Sequence, residues 1–234
     1  MRDAATGDDL PDLIEWSKFS GAAWLKDGSG FYYSRYNKLE EGQAYQGVNY
    51  NQKLYFHRLN TPQADDALVY ERPDHKEWGF GAEVSRDGRY LILQVWEGID
   101  VRNRIFYQDL QAEAGVVELL SELEAAYHFV GNDGPAFYFR TNLDAPRGRL
   151  IAIDTTRPGK TNWQALIPQT EDVLESVVMV HDEFVALYMR HVHHQIKRFD
   201  LRGSYTGEIA LPAFSISRLI WLELGGVLAM ANPG

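Results

Sequence analysis

A repeat constrains this chain more than any other feature. Asp27-Gly28, Asp87-Gly88 and Asp133-Gly134 each follow an apolar run (GAAWLK, FGAEVSR, YHFVGN) and precede an aromatic or β-branched one (GFYYSRY, RYLILQVW, PAFYFRT), at spacings of 60 and 46 residues. A weaker copy turns at His181-Asp182-Glu183, between SVVMV and FVALYMR. After each turn the same parts recur: a second strand, a polar loop, a third strand (KLYFHRL, RIFYQDL, RLIAIDT, IKRFDLR), a turn and a fourth strand (ALVYE, GVVELL, WQALI, GEIAL). Asp-Gly suits a tight hairpin because both residues tolerate φ > 0. Four antiparallel strands per unit, at a period of roughly 40 to 60 residues, is the pattern of a β-propeller blade. A β-sandwich also supplies many short strands, but nothing in it would repeat the whole four-strand order. Val116 to Ala126 (VVELLSELEAA) has a helix-like composition, yet it stands where the other repeats carry their outer strand.

The predicted fold is therefore all-β: a partial β-propeller of about four four-stranded antiparallel blades, with the proportions of larger, seven-bladed rings. The expected divisions are a flexible amino-terminal segment (1–11), blades within 12–212 (about 16–73, 78–121, 126–168 and 173–212), and a partial further blade or divergent tail (213–234). An open arc leaves a blade face and a strand edge bare at each end. A few hundred Å² at roughly 25 cal/mol per Å² is about 10 kcal/mol of unrealised burial. A partner, or self-association through the open blade edges, is expected to cover it.

Charge and composition exclude several functions. The net charge of −10 argues against nucleic acid, whose binding rests on Lys and Arg neutralising phosphates. Zero Cys removes disulfides, thiolate catalysis and Cys-ligated metals, and fits a reducing compartment. No stretch reaches the roughly 18 apolar residues of a membrane helix, and MRDAATGDDL has no signal-peptide core. The expectation is a soluble, cytoplasmic chain that binds no membrane.

The blade sequences also carry a family likeness. Trp16-Ser17-Lys18-Phe19-Ser20-Gly21 with Trp24, then Asp27-Gly28-x-Gly30-Phe31-Tyr32-Tyr33, Gln52-Lys53-Leu54-Tyr55-Phe56-His57 and Asp65-Asp66-x-Leu68-Val69-Tyr70-Glu71 resemble the propeller of prolyl oligopeptidase. So do Gly81-Ala82-Glu83-Val84-Ser85-x-Asp87-Gly88, Asn103-Arg104-Ile105-Phe106-Tyr107, Phe139-x-Thr141-Asn142 and Val173-Leu174-Glu175, over about residues 12 to 212. The resemblance implies a serine peptidase in which a seven-bladed propeller caps an α/β-hydrolase domain carrying Ser, Asp and His. Only short peptides then reach the site, where they are cut after proline. This chain looks like the middle of that cap, without the hydrolase half.

The residues themselves offer no catalytic, metal or cofactor site. A hydrolase nucleophile needs a G-x-S-x-G elbow. The nearest approach, Gly28-Ser29-Gly30, reads as a hairpin turn, and no Ser/His/Asp set can be assembled around it. Gly159-Lys160-Thr161 imitates a phosphate loop, but Asp154 stands where its first glycine belongs and Pro158 removes a donor. Gly79-x-Gly81 lacks a third glycine, since Val84 occupies that place. His191-Val192-His193-His194 reads as solvated loop histidines, with no carboxylate at ligand spacing. The pairs Asp8-Asp9, Glu40-Glu41 and Asp65-Asp66 read as solvated termini and turns. A propeller glycosidase would need several inward carboxylates, and only Glu83 qualifies. The isolated chain is expected to be catalytically inactive.

Topology then locates a binding surface. In an up-and-down blade the Asp-Gly turns share one face, here the turn face. Second-to-third strand loops and blade-to-blade connections share the other, the loop face. Phe19 and Gly79 fall in blade-to-blade connections, and Trp96 and Ile99 in a second-to-third loop. In the resembled family that side meets the peptidase domain, and residues at the four places border the outer subsites of the bound peptide. Gly79 and Trp96 depart from the family, replacing larger apolar and basic side chains. The Asn37–Asn51 loop, about 15 residues where hairpins use two to five, resembles a gating loop. The expected function is the substrate-gating part of a peptidase acting on short proline-containing peptides. The alternative is a stand-alone propeller-type scaffold that self-associates.

Overall fold

The computed structural model describes residues 1–2, 5–38, 49–211, 218–222 and 227–231. It contains four four-stranded antiparallel sheets, each with its strands in sequence order, as the repeat predicts for a partial propeller. They are β1 (Ala23–Trp24) to β4 (Ala67–Tyr70), β5 (Trp78–Val84) to β8 (Val117–Leu120), β9 (Tyr127–Asp133) to β12 (Gln164–Ile167), and β13 (Val173–Val180) to β16 (Tyr205–Ile209). A two-stranded sheet, β17 (Arg218–Leu222) and β18 (Val227–Ala231), falls within the expected further blade or tail. No α-helix occurs among the described residues. The helix-like stretch supplies β8, held by its pairing with β7 (Arg104–Asp109).

The chain divides into two compact units, residues 1–123 and 124–234. In the first, Ala23, Tyr32 and Leu54 of one sheet pack with Trp78, Phe80, Leu91, Leu93, Val95 and Phe106 of the next. In the second, Tyr138, Leu150, Ala152 and Ile167 meet Leu174, Val177, Phe184, Ala186, Tyr188 and Phe199. Second strands such as β6 (Tyr90–Glu97) and β14 (Glu183–Arg190) are buried along most of their length, on both faces, and read as continuous apolar runs. A strand sandwiched between neighbours has no solvent face to alternate with.

In the Asp-Gly turns the glycine alone, and not the aspartate before it, takes a positive φ. Gly28 and Gly88 adopt φ of 70° and 76°. Asp27 Oδ1 and Asp87 Oδ1 accept from the backbone N–H two residues on, at 2.9 and 3.0 Å. In the fourth copy His181 takes the left-handed position with φ 52°. A further repeated device goes unannounced in the sequence: every third-to-fourth strand pair contains a register shift, after Leu54, Ile105, Leu150 and Arg198. Such bulges kink an exposed outer strand and spoil it as a template for edge pairing.

Arg2 bridges Asp9 in antiparallel fashion, and the Met1 amino group donates to Asp12 O at 2.6 Å. Most of the long first-blade loop (39–48) lies outside the described residues, as does much of 213–234.

Candidate binding surface on the loop face

The loop face of the first unit is organised from below by two buried polar side chains. Gln52, just before β3 (Lys53–Arg58), accepts from Phe80 N at 2.6 Å and donates to Lys18 O at 2.9 Å. Ser34, near the end of β2 (Gly30–Arg35), donates to Phe80 O at 2.6 Å, and its backbone N–H donates to Ser20 Oγ at 2.7 Å. Both backbone groups of Phe80 and both neighbours of Phe19 are thereby fixed. Phe19 is held in the left-handed region (φ 55°), uncommon for a bulky residue, and is 69% exposed. An aromatic side chain is thus kept out in solvent by a backbone that cannot relax.

Gly79 and Trp96 are direct cross-strand partners in β5 and β6. The half-buried indole lies flat on β5, so a Cβ added at Gly79 would overlap it, and one at Gly81 would come within 3.3 Å. This is what the Gly79-x-Gly81 pair does: it clears a floor for an aromatic ring. Beyond Trp96 the loop is shaped by Gly98 (φ 58°) and by an Arg102–Asp100 ion pair at 2.6 Å. Ile99 and Val101 project from it, with Ile99 fully exposed and Val101 82% exposed. Of the four sequence-predicted residues, Gly79 and Trp96 touch, Phe19 is tied to β5 through Gln52 and Ser34, and Ile99 stands free on the next loop.

The remaining motifs resolve into structure. Ser29 Oγ donates to Asp27 Oδ1 at 2.7 Å inside the hairpin turn. Lys160 starts a short 3-10 turn (Lys160–Asn162) and pairs with Glu124. His191 and Val192 are the two turn residues between β14 and β15 (His193–Asp200), both with positive φ. His194 is not a solvated loop histidine: it is 8% exposed, and its Nε2 lies 2.8 Å from Glu175 Oε2 on β13. That carboxylate comes from another strand, so local spacing could not reveal it. Dense surroundings push the Glu83 carboxyl up to about 7, although its surface still meets solvent. Among the described residues no group of three or more His and acidic side chains could hold a metal.

The turn face holds the feature that sequence reasoning missed. Asp66, read as half of a solvated acidic pair, has a fully buried side chain. Its Oδ1 lies 2.7 Å from His57 Nδ1, and its Oδ2 accepts from Tyr33 OH at 2.6 Å. On the other side of the ring, His57 Nε2 lies 3.0 Å from Asp12 Oδ1, which also accepts from Asn60 N at 2.6 Å. Burial opposes the charge on Asp12, but the bonds from His57 and Asn60 outweigh it and hold the carboxyl below its usual range. Burial, reinforced by the Asp66 carboxylate, pushes the Tyr33 phenol well up.

The sequence and the fold have known counterparts. A family described as "Prolyl oligopeptidase, N-terminal beta-propeller domain" matches residues 1–220. Prolyl oligopeptidase A of Amanita bisporigera is 32% identical over 206 residues, covering 83% of this chain and 27% of that protein. Prolyl endopeptidase of Elizabethkingia meningoseptica is 31% identical over 210 residues, covering 90% and 29%. Among solved structures, prolyl oligopeptidase B from Galerina marginata bound to a 35mer hydrolysis and macrocyclization substrate superposes with a TM-score of 0.83 at 29% identity, over 94% of this chain and 31% of that one. This chain therefore spans less than a third of the length of these relatives.

Proposed function

Because this chain belongs to the prolyl oligopeptidase N-terminal β-propeller family, we propose that it is the substrate-gating part of a serine peptidase that cleaves short peptides after proline. In this reading residues 12–212 are blades of the cap, and 213–234 begin a further blade or form a divergent tail. The partners are an α/β-hydrolase domain that supplies the nucleophile, base and acid, and a short proline-containing peptide lying between the two. The setting is cytoplasmic. The chain alone should turn nothing over, since among the described residues no nucleophile is oriented by a base and a third group.

One observation carries the reading: the loop face presents an aromatic ring and a flat indole wall on a backbone locked from beneath. Phe19, Gly79, Trp96 and Ile99 border the outer subsites. They hold the peptide remote from the bond that breaks and restrict how it can lie, which is binding used for orientation. The indole over Gly79 gives this chain a broader, flatter wall than a side chain at position 79 would.

The test is to assay the purified chain, and the same chain joined to the hydrolase domain of a relative, on a blocked chromogenic Gly-Pro peptide. The chain alone should be silent and the hybrid active. Phe19→Ala or Trp96→Ala in the hybrid should raise KM about three- to tenfold, the range expected when one apolar contact is lost. Turnover by the isolated chain that persists after removal of contaminating proteases would refute the reading, as would a hybrid indifferent to both substitutions.

A further inference from the structure

Next to Phe19, the loop face contains a small cavity that the reading above leaves unused. Its volume is about 190 Å³, below the roughly 300–1,000 Å³ of sites for whole drug-sized ligands. It has room for one side chain. Trp16, Tyr36 and Tyr50 line it together with three asparagines, Asn37, Asn49 and Asn51. Among the described residues Lys18 is its one charged lining residue, and the Lys76 ammonium sits 4.6 Å over the Tyr50 ring beside it.

The neighbouring cavity supplies the contrast. It shares Asn37 and Asn51 but is lined by charges that already have partners. Lys53 pairs with Glu71 at 2.8 Å, and Arg72 with Asp74 and Glu118 at 2.9 and 2.7 Å. Among the described residues no carboxylate pairs with Lys18 or Lys76. In a chain of net charge −10, two such ammonium groups at an aromatic and amide-lined hollow form a local positive site.

The backbone around the hollow is set in advance. Trp16 and Asn51 have φ of 60° and 57°, in the same left-handed region as Phe19. Each is pinned: Trp16 O accepts from Tyr36 N at 3.1 Å, and Asn51 N donates to Lys76 O at 2.7 Å. The carboxamides and Lys18 are therefore presented by a preformed frame.

We propose that this cavity is a subsite for one acidic side chain, Glu or Asp, of a bound peptide. Lys18 and Lys76 supply the charge, the asparagine amides the hydrogen bonds to carboxylate, and the aromatic walls the contact for the methylenes. The proposal rests on the peptide-binding reading. It adds that the preferred peptides carry an acidic residue beyond the outer subsites.

The test uses the 234-residue chain and three blocked peptides, Ac-Glu-Glu-Gly-Gly-Pro-amide, its Lys-Lys counterpart and its Gly-Gly counterpart. Binding is followed by NMR at the Trp16 indole N–H and the Asn51 carboxamide. The acidic peptide should bind about five- to tenfold tighter than the lysine peptide at low salt, the scale of one or two partly exposed charge contacts. Lys18→Glu should abolish or invert that preference, and about 0.5 M salt should erode it. Lys76→Gln provides a milder variant if Lys18→Glu fails to fold. Equal affinity for all three peptides, or shifts confined to Phe19 and Trp96, would overturn the acidic subsite and leave peptide binding intact. Failure of all three to bind would overturn both.

Discussion

Replacing Asp12 with alanine should unfold the first unit far more readily than its place ahead of the first strand suggests. The residue is 3% exposed, and its carboxylate satisfies His57 Nε2 and Asn60 N at once. Its removal leaves two buried donors without an acceptor and deprives the ring of one of its two carboxylates. Each buried donor left without its acceptor costs about 1–3 kcal/mol, so the loss should come to about 4 kcal/mol. Domains hold only about 5–15 kcal/mol in total. With a urea m-value of about 2.5 kcal/mol per M, the midpoint should fall by about 1.5 M. Asp12→Asn keeps an oxygen for one donor and should lose about half as much.

The pH dependence gives an independent check with a definite sign. The Asp12 carboxyl is held below its ordinary value of 3.8, so its contribution is complete above that pH and is lost as pH falls through the lower, folded value. The gap between wild type and Asp12→Ala should therefore be widest at neutral pH and narrow as pH falls below about 4. Unfolding is best read from amide exchange in β2 and β3, which reports the first unit alone. A loss below about 1 kcal/mol at neutral pH, or a gap unchanged down to about pH 3, would refute the view that Asp12 is bound into the His57–Asp66–Tyr33 chain.

Other outcomes follow from single contacts. Gly79→Ala drives a methyl into the Trp96 ring and should cost about 1–3 kcal/mol, most of it recovered in the Gly79→Ala/Trp96→Leu double variant; additive losses in thermal melts would refute the contact. Gln52→Ala orphans Phe80 N and should cost about 1–3 kcal/mol while exposing the 16–20 segment to limited proteolysis. His191→Asn/Val192→Gly places the residues a two-residue hairpin prefers at two positive-φ sites and should raise stability by about 1–3 kcal/mol, measured as a higher urea midpoint.

The sheets were legible in the sequence because a propeller repeats local information. Each Asp-Gly turn, each apolar second strand and each outer strand is encoded within a few dozen residues, so four copies reinforce one reading. The loop-face wall was half legible. Trp96 and Gly79 could be placed on one face by counting strands, but that the indole needs Gly79 and Gly81 emerges only from the register Gly79↔Trp96. The buried polar chain was not legible. Asp12, His57 and Asp66 are scattered through 55 residues, and each looks like an ordinary loop or strand-end polar group. Ser34 and Gln52 were equally silent, since one polar residue at the end of an apolar run marks either an exit to solvent or a buried clamp.

The two faces of the first unit solve opposite problems with the same chemistry. On the turn face, polar side chains point at one another: hydrogen bonds join Asp12, His57, Asp66, Tyr33 and Gln63, and Gln63 also fastens the Glu15 backbone. On the loop face, Ser34 and Gln52 direct theirs to Phe80 and to the residues on either side of Phe19, which stays exposed, as do Ile99 and Val101 on the loop after Trp96. A fold that only needed stability would bury those groups, since each exposed large side chain forgoes roughly 1.5–3 kcal/mol of burial. Locking a backbone so that apolar groups stay in water makes physical sense where something else covers them. In the proposed function, the loop face rather than the blade edges is therefore the surface on which this chain meets its partner and its peptide.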